Sequence, residues 1–310
     1  MKRIHLFAFT GVIIILSCNN LKTNETKIDS DDTIQVKQDS TSGYAHVNGL
    51  EMYYEIHGIE HPIAGSLTYG EERIPLVLIH GGGSTIQTTF GRVLDDFAKT
   101  RKIIAVELQG HGHTPFINRP ETFEQDADDV AALVKFLKIE NSDFFGFSNG
   151  GNTTMQIAIR HPELVRKIII GSAFFKRDGM YPQFWASIND ATLDNMPQKL
   201  KEGYKKAAPD PNNLVKMFEQ DKNRMVTFKD WQAETIQFIN APTLIISADE
   251  DVVRPEHAVE MFRLLPHGKL VILPGAHGEY IGEVETRQDS NFITATRLLI
   301  ENFLDEPMPK

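Results

Sequence analysis

Six short apolar runs, separated by longer segments of helical character, constrain the fold of this chain more than any other feature. They occupy residues 75–80, 102–108, 143–147, 165–171, 242–248 and 269–275. A continuous apolar run of this length is typical of a strand that is buried on both faces of a parallel sheet. Because such runs alternate with helix-like segments, we predict a doubly wound, mostly parallel α/β sheet.

Two of the segments between these runs have sequence patterns that are typical of helices. Residues 122–139 begin with Thr122 and Gln125 in capping-box spacing and then place apolar residues on one helical face. Residues 172–240 contain many helix formers and no convincing strand. We therefore expect a helical cap, at about residues 172–240, that is inserted between two strands of the sheet.

The N-terminal region has the pattern of a secretion signal. Two basic residues precede an apolar stretch, 6–16, which is shorter than the roughly 20 residues that span a bilayer and suits a signal peptide. The region ends in Ile-Leu-Ser-Cys, which resembles the lipobox of bacterial lipoproteins, where the cysteine is lipidated and becomes the new N-terminus. We predict a signal peptide over residues 1–17 and a lipid anchor on Cys18 that holds the protein at the bacterial cell envelope. The alternative is an ordinary signal that is cleaved nearby and leaves an incidental cysteine.

A polar segment separates this region from the domain. Residues 18–43 are poor in aromatic residues and cannot bury enough surface to fold, so they predict a flexible tether. From Tyr44 the pattern alternates around Asn48-Gly49, a pair that is favoured in tight hairpins. We therefore predict that the folded domain spans residues 44–310.

The net charge of the chain limits the classes of molecule that it can be expected to bind. The formal net charge is −10, and Lys and Arg form no long run. Binding to nucleic acid needs a clustered basic surface, so we expect no such partner. Contact with a membrane is expected only through the N-terminal lipid anchor.

The segment Gly146-Phe147-Ser148-Asn149-Gly150 fits the pattern G-x-S-x-G, with an apolar run before it and a helical pattern after it. A strand-to-helix turn this tight strains the backbone of the serine, and the glycines let neighbouring backbone pass close by. Such a turn lifts the hydroxyl outwards and points a helix N-terminus at developing negative charge. We predict that Ser148 is a nucleophile; the alternative is a structural serine in a glycine-rich loop.

A serine hydroxyl is a weak nucleophile unless a base takes its proton. Among the eleven histidines, His277 is distinctive because it follows the last apolar run within a glycine-rich loop. Such a loop can reach the C-terminal edge of the sheet, where open α/β folds bind ligands. We predict that His277 is the general base.

The base needs a carboxylate that fixes its tautomer and stabilises its protonated form. Asp249, Glu250 and Asp251 follow the run 242–248, which gives the chain order Ser, Asp, His. Neighbouring residues of a strand point to opposite faces, so the three acids cannot all face His277. We favour Asp251 and expect Asp249 to stabilise a turn or to cap a helix.

The glycine-rich segment HGGGST, residues 80–85, follows the first apolar run. Phosphate binding is excluded because neither a P-loop lysine nor a G-x-G-x-x-G pattern is present. The glycines instead allow backbone N–H groups to turn towards an oxyanion. We predict that Gly82 and Asn149 are the N–H donors and that His80 orients the loop.

His111 and His113 form an H-x-H pair, which could indicate a metal site. No neighbouring Asp, His or Cys completes a tetrahedral ligand set, so we predict a turn at the rim of the site and no metal. No organic cofactor is expected either. Most apolar residues of the predicted cap should form its core, and a minority should line an apolar pocket above Ser148.

The chain resembles the α/β-hydrolase family, in particular its esterase-like members with a cap. The segments that carry this resemblance are LIHGGGST, GHGHT, GFSNGG, ISADEDVVRP and PGAHGEY. The resemblance covers about residues 44–305 and implies the α/β-hydrolase fold with a Ser-Asp-His triad. The acid of the family usually stands four residues before a proline, which matches Asp251 and Pro255. Family members with an aspartate nucleophile are excluded by Ser148.

The residues and the resemblance together predict a serine hydrolase that cleaves an ester-like bond through an acyl-enzyme. Its partner would be a small-molecule substrate with an apolar acyl group. A C–C bond hydrolase or an amide hydrolase would use the same triad and is an alternative. A ligand-binding, receptor-like protein that retains the fold is a second alternative.

Lipidation of Cys18 can be tested by mass. The full chain, expressed in a bacterium that processes lipoproteins, should have a mature N-terminus at Cys18 that carries acyl chains, because the thiol is the acceptor. Cys18→Ser should lack the acyl mass. Intact-mass and peptide-mass measurements check this, and a mature N-terminus elsewhere without acyl mass would contradict the anchor.

Overall fold

A computed structural model of the protein describes residues 40–58 and 74–309. The predicted signal peptide, Cys18 and the predicted tether up to residue 39 lie outside the described residues. Within the part that is described, no helix is long and apolar enough to cross a membrane.

The described residues contain eight strands: β1 (Ser40–Val47), β2 (Leu50–His57), β3 (Leu76–Ile79), β4 (Ile103–Val106), β5 (Ser142–Phe147), β6 (Val165–Gly171), β7 (Thr243–Glu250) and β8 (Gly268–Ala276). They form one sheet in the order β1-β2-β4-β3-β5-β6-β7-β8. Strand β2 pairs antiparallel with β1 and with β4, and the other neighbours are parallel. The predicted doubly wound, mostly parallel sheet is confirmed, and each apolar run forms one of the strands β3 to β8.

The β1–β2 hairpin begins earlier than the sequence predicts. Ser40 lies opposite His57, so residues 40–43 belong to the sheet and not to the tether. An edge strand needs partners for its backbone only, so polar, exposed side chains do not keep these residues out of the sheet. Asn48 and Gly49 have φ values of 50° and 80°, as expected for the tight two-residue turn.

The described helices are α1 (Ile86–Phe90), α2 (Leu94–Ala98), α3 (Phe123–Phe136), α4 (Asn149–Arg160), α5 (Pro182–Asn189), α6 (Gln198–Ala207), α7 (Leu214–Val226), α8 (Ala233–Gln237), α9 (Pro255–Leu264) and α10 (Ser290–Asp305). Helices α5 to α8 stand between β6 and β7 and are called the cap below. Thr122 caps α3 by accepting the Gln125 N–H at 3.1 Å. Only half of the predicted capping box forms, because Gln125 directs its side-chain amide to Asp129 one turn later.

The parallel strands bring the predicted site residues to one edge of the sheet. Ser148 follows β5, Asp251 follows β7, His277 follows β8, and Gly82 lies in the loop after β3. Strands β3, β4 and β5 are buried along their whole length, which fixes the loops that follow them. Open α/β sheets bind their ligands at this edge.

Replacement of Gly150 by alanine should destabilise the protein, although alanine favours a helix. A Cβ at this position would lie 2.2 Å from the Ile79 carbonyl oxygen, so α4 could not pack against β3. We expect a loss of about 3 kcal/mol in the free energy of unfolding, measured by urea denaturation. Gly49→Ala is the control, because a Cβ there meets nothing within 4 Å and the positive φ costs only about 1 kcal/mol. Equal losses for the two variants would contradict the packing argument.

Candidate active site

Ser148 occupies a sharp turn between β5 and α4, with φ 54° and ψ −121°. A positive φ strains a residue that has a Cβ, so the surroundings must hold it. The Ser148 N–H donates to the Gly171 carbonyl at 2.8 Å. The strand and the helix approach so closely that a Cβ on Gly146 would lie 1.9 Å from the Gly150 carbonyl oxygen. The turn therefore depends on the glycines that flank the serine.

The turn directs the serine hydroxyl at the imidazole of His277. Ser148 Oγ lies 3.1 Å from His277 Nε2, and His277 Nδ1 lies 2.6 Å from Asp251 Oδ1. With its proton on Nδ1, the ring donates to the carboxylate and accepts from the hydroxyl. The structure thus brings together the three side chains that the sequence indicates as nucleophile, base and acid.

The two acids that precede Asp251 in the sequence do not contact His277. Asp249 is exposed, and its Oδ1 accepts the Gly275 N–H at 2.8 Å, which joins the ends of β7 and β8. Glu250 is exposed as well. Asp251 is 4% exposed and is the acid that contacts His277.

Several donors hold the Asp251 carboxylate. Its Oδ1 accepts the Val253 N–H at 3.2 Å, and its Oδ2 accepts the Ala248 N–H at 3.3 Å and the hydroxyl of Ser172. Burial raises the pKa of Asp251, but the charge of His277 and the hydrogen bonds lower it by more, so this pKa lies below its ordinary value. The carboxylate therefore stays charged beside the imidazole.

Ser172 and Tyr280 support the acid, and sequence reasoning does not identify them. Ser172 follows β6 with a φ of 49°, and its hydroxyl lies 2.9 Å from the Tyr280 hydroxyl. Both side chains are buried. No local pattern marks either residue, because the contact joins segments that are far apart in the sequence.

The surroundings of His277 make it more basic than an ordinary histidine. Burial lowers its pKa, but the charge and hydrogen bond of Asp251 raise the pKa by more, and Glu283 adds to the rise. The net pKa lies above the ordinary value. The Phe147 ring packs against the imidazole, with the two ring centroids 4.8 Å apart.

The cavity that contains Ser148 is also lined by Gly82 and Asn149. Gly82 lies in the loop after β3, and Asn149 is the first residue of α4. Within the described part of the chain, neither backbone N–H donates to another protein group. Unpaired N–H groups beside a serine at a helix N-terminus suit an oxyanion. This arrangement could stabilise the negative charge that develops on a carbonyl oxygen.

His80 orients the loop that contains Gly82. Its Nδ1 donates to the Gly81 carbonyl at 2.7 Å, and its Nε2 accepts the Leu108 N–H at 3.1 Å. Complete burial lowers the pKa of His80 to about 3, so the ring stays neutral. His80 is therefore a structural link between the loops after β3 and β4.

His111 and His113 point to different partners. His111 Nε2 lies 3.0 Å from Asp221 Oδ2, whereas His113 Nδ1 lies 2.8 Å from Glu107 Oε2. The two rings therefore do not converge on one ligand. Across residues 40–58 and 74–309, no group of three or more His, Cys, Asp or Glu side chains is placed to hold a metal ion.

Asp221, in helix α7 of the cap, is a residue of the site that sequence reasoning misses. Its carboxylate accepts the Gly83 N–H, contacts His111 and forms an ion pair with Arg224. Burial raises the pKa of Asp221, but the charges of Arg224 and His111 lower it by more, so the acid is ionised. One acid within a charged helical segment gives no sequence signal.

A cavity of about 520 Å³ contains Ser148 and His277. Its polar part includes Gly82, Asn149 and Asp221. The apolar part comes from the cap and neighbouring loops: Phe174, Met180, Phe184, Ile188, Met196, Leu200, Met217, Phe218, Met225 and Val252. A mostly apolar cavity of this volume with a few polar groups is typical of a small-molecule site.

Comparisons with known proteins agree with this fold. Residues 74–233, about half of the chain, match the family described as the alpha/beta hydrolase fold. The chain is 27% identical over 256 residues to pimeloyl-[acyl-carrier protein] methyl ester esterase of Neisseria meningitidis, with 74% of this chain and 78% of that protein covered. It is 24% identical over 279 residues to serine hydrolase BPHL of Mus musculus, with 85% and 86% covered. The crystal structure of the enol-lactonase from Burkholderia xenovorans LB400 matches with a TM-score of 0.64 and 22% identity, covering 85% of this chain and 100% of that one.

The pKa of His277 should depend on Asp251 and not on Asp249. In the wild type, the His277 imidazole should titrate above the ordinary value of 6.5, measured by NMR of isotope-labelled histidine. Asp251→Asn removes the negative charge, so the pKa should fall. Asp249→Asn is the matched control and should leave it unchanged, because Asp249 contacts Gly275 instead. A fall with Asp249→Asn alone would contradict the assignment.

Proposed function

The chain belongs to the α/β-hydrolase fold family and is a hydrolase, and on that premise we propose that it cleaves esters of apolar acids through an acyl-enzyme on Ser148. One observation carries the proposal: Ser148 Oγ lies 3.1 Å from His277 Nε2, and the same ring contacts Asp251 through Nδ1. A hydroxyl, a base and a buried carboxylate in this order form the arrangement that activates serine.

Acylation begins when Ser148 Oγ attacks the carbonyl carbon of the ester and His277 Nε2 takes the hydroxyl proton. Asp251 keeps the ring in the required orientation and stabilises its positive charge. The tetrahedral intermediate then expels the alcohol, which leaves with the proton from His277. The acyl group remains bonded to Ser148 Oγ.

Deacylation repeats the sequence with water. His277 takes a proton from water as the oxygen attacks the acyl carbon, and the second intermediate expels Ser148 Oγ, which recovers the proton. The carboxylic acid is released, and the enzyme returns to its starting state. Because the base must be neutral, turnover should rise as the pH increases through the pKa of His277.

The N–H groups of Gly82 and Asn149 would bind the oxyanion in both half-reactions. Both line the cavity beside Ser148, and Asn149 adds the positive end of the α4 dipole. Donors of this kind act when charge develops on the carbonyl oxygen, so they stabilise the transition state more than the substrate.

The cavity lining supports an apolar acyl group, and the name of a relative supports an ester bond. Apolar side chains from the cap and neighbouring loops line most of the cavity, which favours an alkyl or aryl group over a charged one. A relative that aligns with 74% of this chain is named as a methyl ester esterase. Placement at the cell envelope through Cys18 is a further part of the proposal, supported by the lipobox-like sequence.

Purified protein should hydrolyse short nitrophenyl esters, and Ser148→Ala should lower kcat by about 10⁴-fold or more, because the nucleophile is lost. A fluorophosphonate should label the wild type once per chain and should not label Ser148→Ala. Circular dichroism establishes that the variant is folded. A wild type that neither turns over esters nor accepts the label would contradict the proposal.

A pair of isosteric variants tests the acid. Asp251→Asn should lower kcat by about 10³–10⁴-fold, because the ring loses its orientation and its compensating charge. Asp249→Asn, two residues away and exposed, should keep kcat within about threefold of the wild type. The reverse order of effects would assign the acid to Asp249.

A further inference from the structure

Asp221 connects the cap to the loop that carries Gly82. We propose that Asp221 is a positioning residue: it holds this loop in the shape that forms the oxyanion hole, and it does so from helix α7. The hole is then complete only when α7 is seated over the cavity. This inference rests on the proposed function, in which Gly82 and Asn149 bind the oxyanion.

Apart from the bond between His80 and the Gly81 carbonyl, the loop after β3 has only weak contacts besides Asp221. Gly83 has a φ of 63°, and three consecutive glycines give the backbone wide conformational freedom. The Gly81 N–H reaches Thr89 Oγ1 only at 3.4 Å, and Ser84 Oγ reaches the Gly82 carbonyl at the same distance. The Gly83 N–H donates to the Asp221 carboxylate and reaches His111 Nε2 only at 3.3 Å, and the charged acceptor makes the bond to Asp221 the stronger of the two.

Asp221 accepts the Gly83 N–H, next to one half of the proposed oxyanion hole, and lies beside the side-chain amide of Asn149 at the other half. Asn149 Nδ2 lies 3.5 Å from Asp221 Oδ1, at the long limit of a hydrogen bond. A Cβ on Gly82 would lie 2.3 Å from Asn149 Nδ2 and 3.2 Å from Asp221 Oδ2. A side chain at position 82 would therefore displace the Asn149 amide, which lies beside Asp221. A displaced Asp221 would therefore disturb the loop of Gly82, whereas the Asn149 N–H stays fixed by the turn at Ser148.

Two cations keep Asp221 charged in a buried place. Arg224 pairs with it within α7, and His111 lies 3.0 Å from its Oδ2. His111 Nδ1 faces the Gln109 carbonyl at 2.9 Å and donates to it, and His111 Nε2 lies against both Asp221 Oδ2 and the Gly83 N–H, which is 3.3 Å away. Burial lowers the pKa of His111, but Asp221 raises it by more, to about 9. The carboxylate therefore adds no uncompensated negative charge beside the oxyanion.

The same face of α7 also lines the substrate cavity. Met217, Asp221 and Met225 are spaced four residues apart, which places them on one side of the helix, and all three line the cavity. A substrate that packs against the two methionines would contact the helix that holds the loop. The position of α7 over the cavity would therefore affect both the binding of the acyl group and the shape of the oxyanion hole.

The test compares Asp221→Ala with Asp126→Ala. Asp126 is the other carboxylate that pairs with Arg224, and it does not touch the loop. The two variants therefore remove one partner of Arg224 each, but only Asp221→Ala removes the carboxylate that accepts the Gly83 N–H. Both are measured as nitrophenyl ester hydrolases, with active sites counted by fluorophosphonate so that kcat refers to competent enzyme.

Asp221→Ala should lower kcat by about 10²-fold, as expected when an oxyanion donor is misplaced, with KM within about threefold of the wild type. Asp126→Ala should be destabilised to a similar extent but keep kcat within about threefold. Asp221→Asn retains an acceptor oxygen for the Gly83 N–H and should give an intermediate kcat, and it serves as the test if Asp221→Ala does not fold.

Three results would overturn the inference: an equal loss of kcat in Asp126→Ala, a rise in KM with kcat unchanged in Asp221→Ala, or wild-type kcat in both Asp221 variants. Failure of the proposed function is a separate outcome, because Ser148→Ala would then retain turnover. Loss of turnover in Ser148→Ala with no effect in the Asp221 variants would reject the positioning role alone.

Discussion

The left-handed backbone of Ser148 is the constraint on which the rest of the site depends. A φ of 54° is strained for serine, and the turn persists because strand β5 and helix α4 approach to a distance that only glycine allows at positions 146 and 150. This packing places Oγ within 3.1 Å of His277 Nε2 and leaves the Asn149 N–H at the start of a helix. Nucleophile and oxyanion donor are thus fixed by one local arrangement of the backbone.

Buried charges at this edge of the sheet are compensated by nearby partners. Asp251 faces His277, and Asp221 faces His111 and Arg224. An isolated buried charge would cost several kcal/mol, so each carboxylate needs its hydrogen bonds, and Asp221 has the charge of Arg224 as well. The first pair gives the base its elevated pKa, and the second group fastens the cap to the loop after β3. Electrostatic interactions therefore raise the basicity of His277 and also hold the loop after β3 against the cap.

The sequence predicts the sheet and the triad because both leave local signals. Buried parallel strands are continuous apolar runs, and Ser148, Asp251 and His277 each follow such a run, so the shared strand edge brings them together. Asp221 and Ser172 leave no such signal, because their roles arise from contacts between segments that are distant along the chain. The start of β1 was also unpredictable from composition, since backbone pairing at an edge places little demand on the side chains.

The central claim is that Ser148 carries the acyl group between the two half-reactions. Rapid mixing of the enzyme with nitrophenyl acetate, followed by an acid quench, digestion and peptide mass analysis, tests it most directly. The account predicts an adduct of one acetyl group on the peptide that contains Ser148, formed and lost at rates that match turnover. Turnover without this adduct, or an adduct on another residue that forms and decays at the turnover rate, would contradict it.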